Sequence, residues 1–370
     1  MRVADYFAAS YSEAREKFLD AARRANGRLA HYALPNSRGP RGEDLVTDVA
    51  RLGTESPESL LVLISGTHGV EGFCGSGCQV GYLTDGLYDA LPPNSAVVLV
   101  HALNPFGFAW LRRVNEDNID LNRNFHDFSK PLPSSTAYEA LHNWLVPEDW
   151  NGKHRKEADA ALLAYINDKG LPAAQAEISG GQYTRPNGLF FGGTNEAWSN
   201  QTLRKLIAEH ITRAVKRVAV LDIHTGLGPA GFGEPIYSGP TPQGFDLAKK
   251  WYGPEVKTTI RERATPEEAS VSADVNGPVV CALPPSTSNL EVNFLVLEFG
   301  TKSVLEVLTA LRGDNWLHWV QGCDAELRDE IKRSIRDAFY MDTPWWKAAV
   351  YGRTSDFALR ATRALTGSGS

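Results

Sequence analysis

Four short, unbroken apolar runs constrain this chain more than any other feature: residues 60–65 (LLVLIS), 96–101 (AVVLVH), 218–223 (VAVLDI) and 294–299 (FLVLEF). A strand with water on one side alternates apolar and polar residues, whereas continuous runs of this length belong to strands covered on both faces. Helical patterns lie between the runs, so the expected fold is α/β, with a mixed, largely parallel central sheet flanked by helices. An amphipathic helix is expected up to Asn26 and Gly27, two further strands at residues 28–34 and 45–52, and a helix over residues 75–87. Residues 127–213 form a long insertion between the second and third runs. It carries two or three helical patterns and a Gly/Pro-rich piece, TRPNGLFFGG (residues 184–193). Residues 302–366 predict a helical C-terminal part, clearest over 304–320, and the GSGS at 367–370 reads as a disordered tail. Neither a repeat nor a long linker divides the chain, and its 42% hydrophobic content is ample for a large core. Residues 1–366 are therefore expected to form a single domain.

A net charge of −6 argues against nucleic-acid or anionic-membrane partners, since neither would be attracted to an acidic surface. A small molecule or a peptide is the expected partner. No window approaches the roughly 18 apolar residues of a membrane helix, and the first residues lack the apolar core of a signal peptide. With only four cysteines, a disulfide scaffold is not expected and a cytoplasmic setting is. Cys74 and Cys78, spaced i, i+4, are expected to be small buried core residues rather than soft metal ligands.

Chemistry concentrates after the apolar runs. GTHGVEG follows the first and places His68 and Glu71 three residues apart in a glycine-rich turn. LDIHTGLG ends the third and supplies His224, at the C-terminal strand end where α/β folds gather their sites. Two imidazoles and a carboxylate make a donor set for one zinc ion per chain, with a position left open as a catalytic zinc requires. Asp222, two residues before His224 on the same strand face, is placed to orient its imidazole. Glu298 interrupts the apolar run LVLEFGT, and a carboxylate in such a setting needs a partner or a task, for which general base is the natural one. RRVNEDNIDLNRNF (residues 112–125) packs Arg112, Arg113, Arg123 and four asparagines into one stretch suited to a carboxylate or a developing oxyanion.

With these four motifs in order, the sequence resembles the M14-type zinc carboxypeptidases, and more closely their bacterial branch catalogued as DUF2817; aspartoacylase-like deacylases are relatives. The resemblance covers residues 60–301. It implies that His68, Glu71 and His224 hold zinc and that Glu298 is general base and then acid. Arg113 would polarise the scissile carbonyl, with Arg112 as the other arginine able to face the metal. Asn122 and Arg123 would bind a substrate carboxylate, and Tyr237 is the candidate for the tyrosine that covers the substrate. The expected activity is zinc-dependent hydrolysis of an amide beside a free carboxylate, at a peptide C-terminus or in an N-acyl amino acid. A small-molecule deacylase and a non-catalytic zinc-binding module are the alternatives. No G-x-S-x-G elbow supports a serine hydrolase, and a Cys74 nucleophile beside His68 is a further option that metal analysis would separate.

Overall fold

The four apolar runs lie side by side at the centre of one eight-stranded sheet in the computed structural model, which describes residues 2–260, 264–284, 287 and 289–367. The chain begins with α1 (Tyr11–Arg24), whose first turn is capped by the Ser10 side chain accepting from Glu13 N. The strands β1 (Arg28–Arg38) and β2 (Asp44–Gly53) follow as an antiparallel pair at one edge. Next come β3 (Ser59–Ser65), α2 (Gly72–Thr84) and β4 (Ser95–His101). The long connection holds α3 (Pro105–Ala109), α4 (Thr136–Leu145), α5 (Lys153–Lys169), α6 (Leu171–Ser179) and α7 (Trp198–His210). After β5 (Arg217–Ala230) come β6 (Gly233–Tyr237), α8 (Pro242–Tyr252), β7 (Lys257–Thr258) and β8 (Glu291–Gly300). The helices α9 (Val304–Trp319), α10 (Ala325–Phe339) and α11 (Pro344–Ala364) close the chain.

The strand order is β1-β2-β4-β3-β5-β8-β6-β7. Its central four strands, β4, β3, β5 and β8, are mutually parallel, while β2 and β6 join them antiparallel on either side. The parallel centre matches the unbroken runs. The strands β6 and β7 are not anticipated, because five residues containing a proline and two residues carry no readable period. α2 starts three residues before the expected Gly75 and stops at Thr84, where Gly86 at φ +67° turns the chain into a short 3-10 segment. Of the tail at 367–370, only Gly367 lies within the described residues.

β3 and β4 are buried on both faces along their whole length, while on β8 the front residues Val292 and Val296 are only half-buried. On the rear, Leu63, Leu221, Leu295 and Leu297 pack with Phe18 of α1, Phe73 of α2, Phe245 of α8 and Phe357 of α11. On the front, Val62, Ile64, Val220 and Phe294 meet Leu203, Leu206 and Ile207 of α7. Arg312 of α9 ties the inserted helices to the C-terminal ones by donating to the carbonyls of Trp144 and Leu145 and pairing with Asp159 at 2.5 Å. Among the described residues, no helix is long and apolar enough to cross a membrane.

Candidate metal centre

Because β3, β5 and β8 run parallel, their C-terminal ends finish at one edge, where Ser65 pairs with Ile223 and His224 with Glu298. The turn after β3 is bent by Gly66 at φ +70°, a conformation that costs glycine little. Gly69 then passes so close to the 107–108 backbone that an added Cβ would lie 2.0 Å from the Gly107 carbonyl carbon. The result brings three buried side chains to one point. His68 Nδ1 lies 2.8 Å from Glu71 Oε1, and His224 Nδ1 lies 3.2 Å from His68 Nδ1 and 3.3 Å from Glu71 Oε2. One donor atom from each of the three falls within 4.8 Å of the other two, a group able to hold a metal ion.

The surroundings fit that use. His68 Nε2 is 3.0 Å from Asp120 Oδ1, and His224 Nε2 is 2.8 Å from Asp222 Oδ2, so each outer ring nitrogen meets a carboxylate. Such partners place the proton on Nε2 and leave the Nδ1 lone pair facing the centre. Thr67 Oγ1 donates to Asp222 at 2.9 Å, and Asp120 also accepts from Arg113 Nε and from the Asn122 backbone, both at 3.0 Å. Glu71 accepts from Arg113 Nη1 and from Thr225 N, each at 3.0 Å. Burial pushes the Glu71 carboxyl up, but His68 and His224 outweigh it and hold it below the usual range. Burial opposes charge on His224, yet Asp222 and Glu71 raise it well above the ordinary imidazole value. A cation bound at these nitrogens would compete with a proton there.

Glu298 stands beside this group on β8. It is 7% exposed, and one oxygen, Oε1, accepts from Leu227 N at 3.1 Å. Burial, reinforced by Glu71, pushes its carboxyl up to about 8, in the range of a proton-transferring acid or base near neutral pH.

The two adjacent arginines part company. Arg113 faces the cluster, bridging Glu71 and Asp120. Arg112 turns away: its Nε pairs with Asp314 of α9 at 2.9 Å and its Nη2 donates to Asn118. Of the two, Arg113 is therefore the arginine that faces the cluster, and Arg112 is held by Asp314 and Asn118. Tyr237 is buried in the wall of the cavity that His68, His224 and Glu298 also line. It pairs with Leu295 across β6 and β8, three positions from the Glu234–Glu298 pair, and its ring lies 6.1 Å from that of Phe245. Arg123 is buried, with Nε and Nη2 both donating to Ser179 O, at 2.8 and 2.5 Å, and Nη1 to Asn122 O. That edge of its fork is occupied, and its nearest approach to Asp120 is 4.0 Å. Asn122 Oδ1 accepts from Val279 N at 3.0 Å. Cys74 and Cys78 are buried on α2, and burial holds the Cys74 thiol well above its usual range, which disfavours both ligation and nucleophilic attack.

His68, Arg113, Asn122, Arg123, His224 and Glu298 all line one cavity of about 1280 Å³. The sequence model of a family described as "Protein of unknown function (DUF2817)" matches residues 7–353. The chain belongs to the DUF2817 family. A search of curated proteins gave no match. Among solved structures, this DUF2817 protein is similar to carboxypeptidase A from Helicoverpa armigera, with 14% identity over 94% of this chain and 73% of that one, at a TM-score of 0.44. It is also similar to bovine thrombin-activatable fibrinolysis inhibitor, with 9% identity over 98% of each chain and a TM-score of 0.47. A metallo-carboxypeptidase from Burkholderia cenocepacia shares 13% identity over 88% of this chain and 67% of that one, at a TM-score of 0.36.

Two residues of the DUF2817 site escape the sequence argument. Asp120 is not singled out there, although it sits between Ile119 and Leu121 much as Glu298 sits in its apolar run, and the same reasoning applies to it. Phe190 lies 5.7 Å from both the Arg113 and Arg123 guanidinium groups and takes φ +54°, which costs a bulky residue energy. Nothing in the local sequence signals that conformation.

Proposed function

We propose that this protein is a zinc-dependent hydrolase that cleaves an amide adjacent to a free carboxylate, in an N-acyl amino acid or at the C-terminus of a peptide. The observation that carries this reading is the convergence of His68, Glu71 and His224, each imidazole backed by its own carboxylate, beside a second buried glutamate. A zinc ion held by these three residues supplies Lewis acidity and makes water a competent nucleophile at neutral pH. Glu298 keeps one oxygen on Leu227 N and uses the other to take the proton from water and return it to the leaving amine. Arg113, fixed by Asp120 and Glu71, directs its remaining N–H groups toward the oxygen on which charge develops. Asn122, through its Nδ2, and the remaining N–H groups of Arg123 receive the substrate carboxylate. This is weaker than a full bidentate clamp, because Ser179 holds one edge of that guanidinium.

Metal analysis and two substrates test the proposal. Purified protein should carry about one zinc per chain, lost in His68→Ala and in His224→Ala because two ligands hold the ion poorly. It should also hydrolyse an N-acyl amino acid much faster than the matching amide. Protein that carries no zinc, cannot be reconstituted and stays active with chelator would overturn the metal reading. Equal rates on acid and amide would remove carboxylate recognition alone.

A further inference from the structure

The cavity that opens from the candidate metal centre exceeds what a small acyl group needs. Its 1280 Å³ compares with roughly 300–1,000 Å³ for pockets that take drug-sized ligands. One wall is the front of β8, where Val292, Phe294, Val296 and Glu298 alternate onto the same cavity. At about 3.3 Å per residue, that is an apolar stripe reaching about 20 Å away from Glu298. Ile178 of α6 and Leu283 line the same space.

Charge is distributed unevenly along it. Among the described residues the lining cations other than histidine are Arg113 and Arg123, and Arg113 contacts the ligand cluster directly. Away from that end, Glu291 is already paired with Arg217, and Asp274 is exposed. A peptide bound along this stripe would want main-chain hydrogen bonds, as an added strand obtains from a sheet edge. β8 offers few, because β5 pairs with it from Glu291 to Phe299, β6 pairs with Leu295–Phe299 on the other side, and Ser238 N donates to Phe294 O.

We propose that the cavity takes an N-acyl amino acid with a long aliphatic acyl chain, the chain lying on the β8 wall and the carboxylate at the arginine end. Cleavage of that molecule rests on the hydrolase reading above: the water oxygen joins the acyl carbon, the C–N bond breaks, and the amine nitrogen takes the proton. The products are a fatty acid and an amino acid. Chain binding itself rests on the wall alone.

The test is a series of N-acyl glycines from acetyl to hexadecanoyl, each below its micellar concentration. Hydrolysis is followed with zinc-loaded wild-type protein, and binding by calorimetry with zinc-loaded Glu298→Gln. Both kcat/KM and affinity should rise with chain length, by up to about fourfold per methylene while the wall is being filled. Val292→Asp, or Leu283→Asp should the first fail to fold, should collapse the dodecanoyl-to-butanoyl ratio. Affinities that stay flat along the series would overturn the chain site even if short substrates are hydrolysed. Tighter binding of an apolar tetrapeptide than of dodecanoyl-glycine would overturn it in favour of a peptide. Rising affinity with no turnover by the wild type would uphold the wall and remove the hydrolase reading instead.

Discussion

The two faces of β8 are made from alternating residues of one ten-residue strand, yet they do opposite things. Leu295, Leu297 and Phe299 point to the rear and are fully buried against helices and neighbouring strands. Val292, Phe294, Val296 and Glu298 point to the front and line the cavity. The contrast teaches that the rear of the sheet is given to stability while the front, beyond the cover of α7, is left open to hold a ligand. A carboxyl group is tolerable at Glu298 because it lies at the strand end, where it accepts from Leu227 N and has Arg113 and His224 within its electrostatic reach. The same carboxylate one residue earlier would face the packed rear side.

That comparison breaks if substitutions on the two faces have the same consequence. The largest effect is expected on the rear. Leu295→Ala should lower unfolding free energy by about 2–5 kcal/mol, the range for emptying a fully packed leucine site. Zinc content and kcat of the folded fraction should not change. Chemical denaturation read beside kcat decides it, and a loss of kcat with intact stability would show that the rear face shapes the site after all.

Glu298→Gln should do the reverse. The amide oxygen can still accept from Leu227 N, so fold and zinc should survive while kcat falls by about 10²-fold, the usual scale of a lost proton-transfer group. Stability adds a pH signature. The folded carboxyl is raised from 4.5 to about 8, so the folded state holds this proton more tightly than the unfolded chain. Its contribution is present below pH 4.5 and is lost as pH rises through 8. Metal-free wild-type protein should therefore lose stability across that window relative to Glu298→Gln. Parallel stability curves for the two proteins would show that burial does not act on Glu298 in this way.

The difference between the faces was only half legible in the sequence. Unbroken apolar runs reveal that a strand is covered on both sides, but not by what, so a packed rear and a cavity-lining front look alike in FLVLEF. Glu298 was legible because it violates its run. Arg112 and Arg113 were not separable, since adjacent residues in an irregular loop have no period to fix their directions. Their fates depend on Asp314, about 200 residues away, and on the turn that carries Glu71. Tyr237 could not be placed for a related reason: β6 is too short to show the alternation that sets its pairing with Leu295.

The smallest effect is expected behind the candidate metal ligands, and it turns on hydrogen-bond direction. Asp120 accepts from His68 Nε2 and from Arg113 Nε, so both of its oxygens receive donors. The side-chain amide of an Asp120→Asn variant could satisfy only one of them. With its oxygen toward His68, its NH₂ would oppose the Arg113 N–H. Reversed, it would donate to His68 Nε2 and shift that ring's proton to Nδ1, the nitrogen needed for the metal. Asp120→Asn should therefore weaken zinc binding by about 10–100-fold, measured by competition with a chromophoric chelator, while kcat at saturating zinc falls less than in Glu298→Gln. Asp222 differs in that its other partner is the Thr67 hydroxyl, which can rotate to accept as well as donate. An amide in place of the Asp222 carboxylate could thus keep its oxygen on His224 and give its NH₂ to Thr67. Asp222→Asn should cost less zinc affinity than Asp120→Asn, and the reverse order would mean that charge, rather than the direction of these hydrogen bonds, is what the two carboxylates supply.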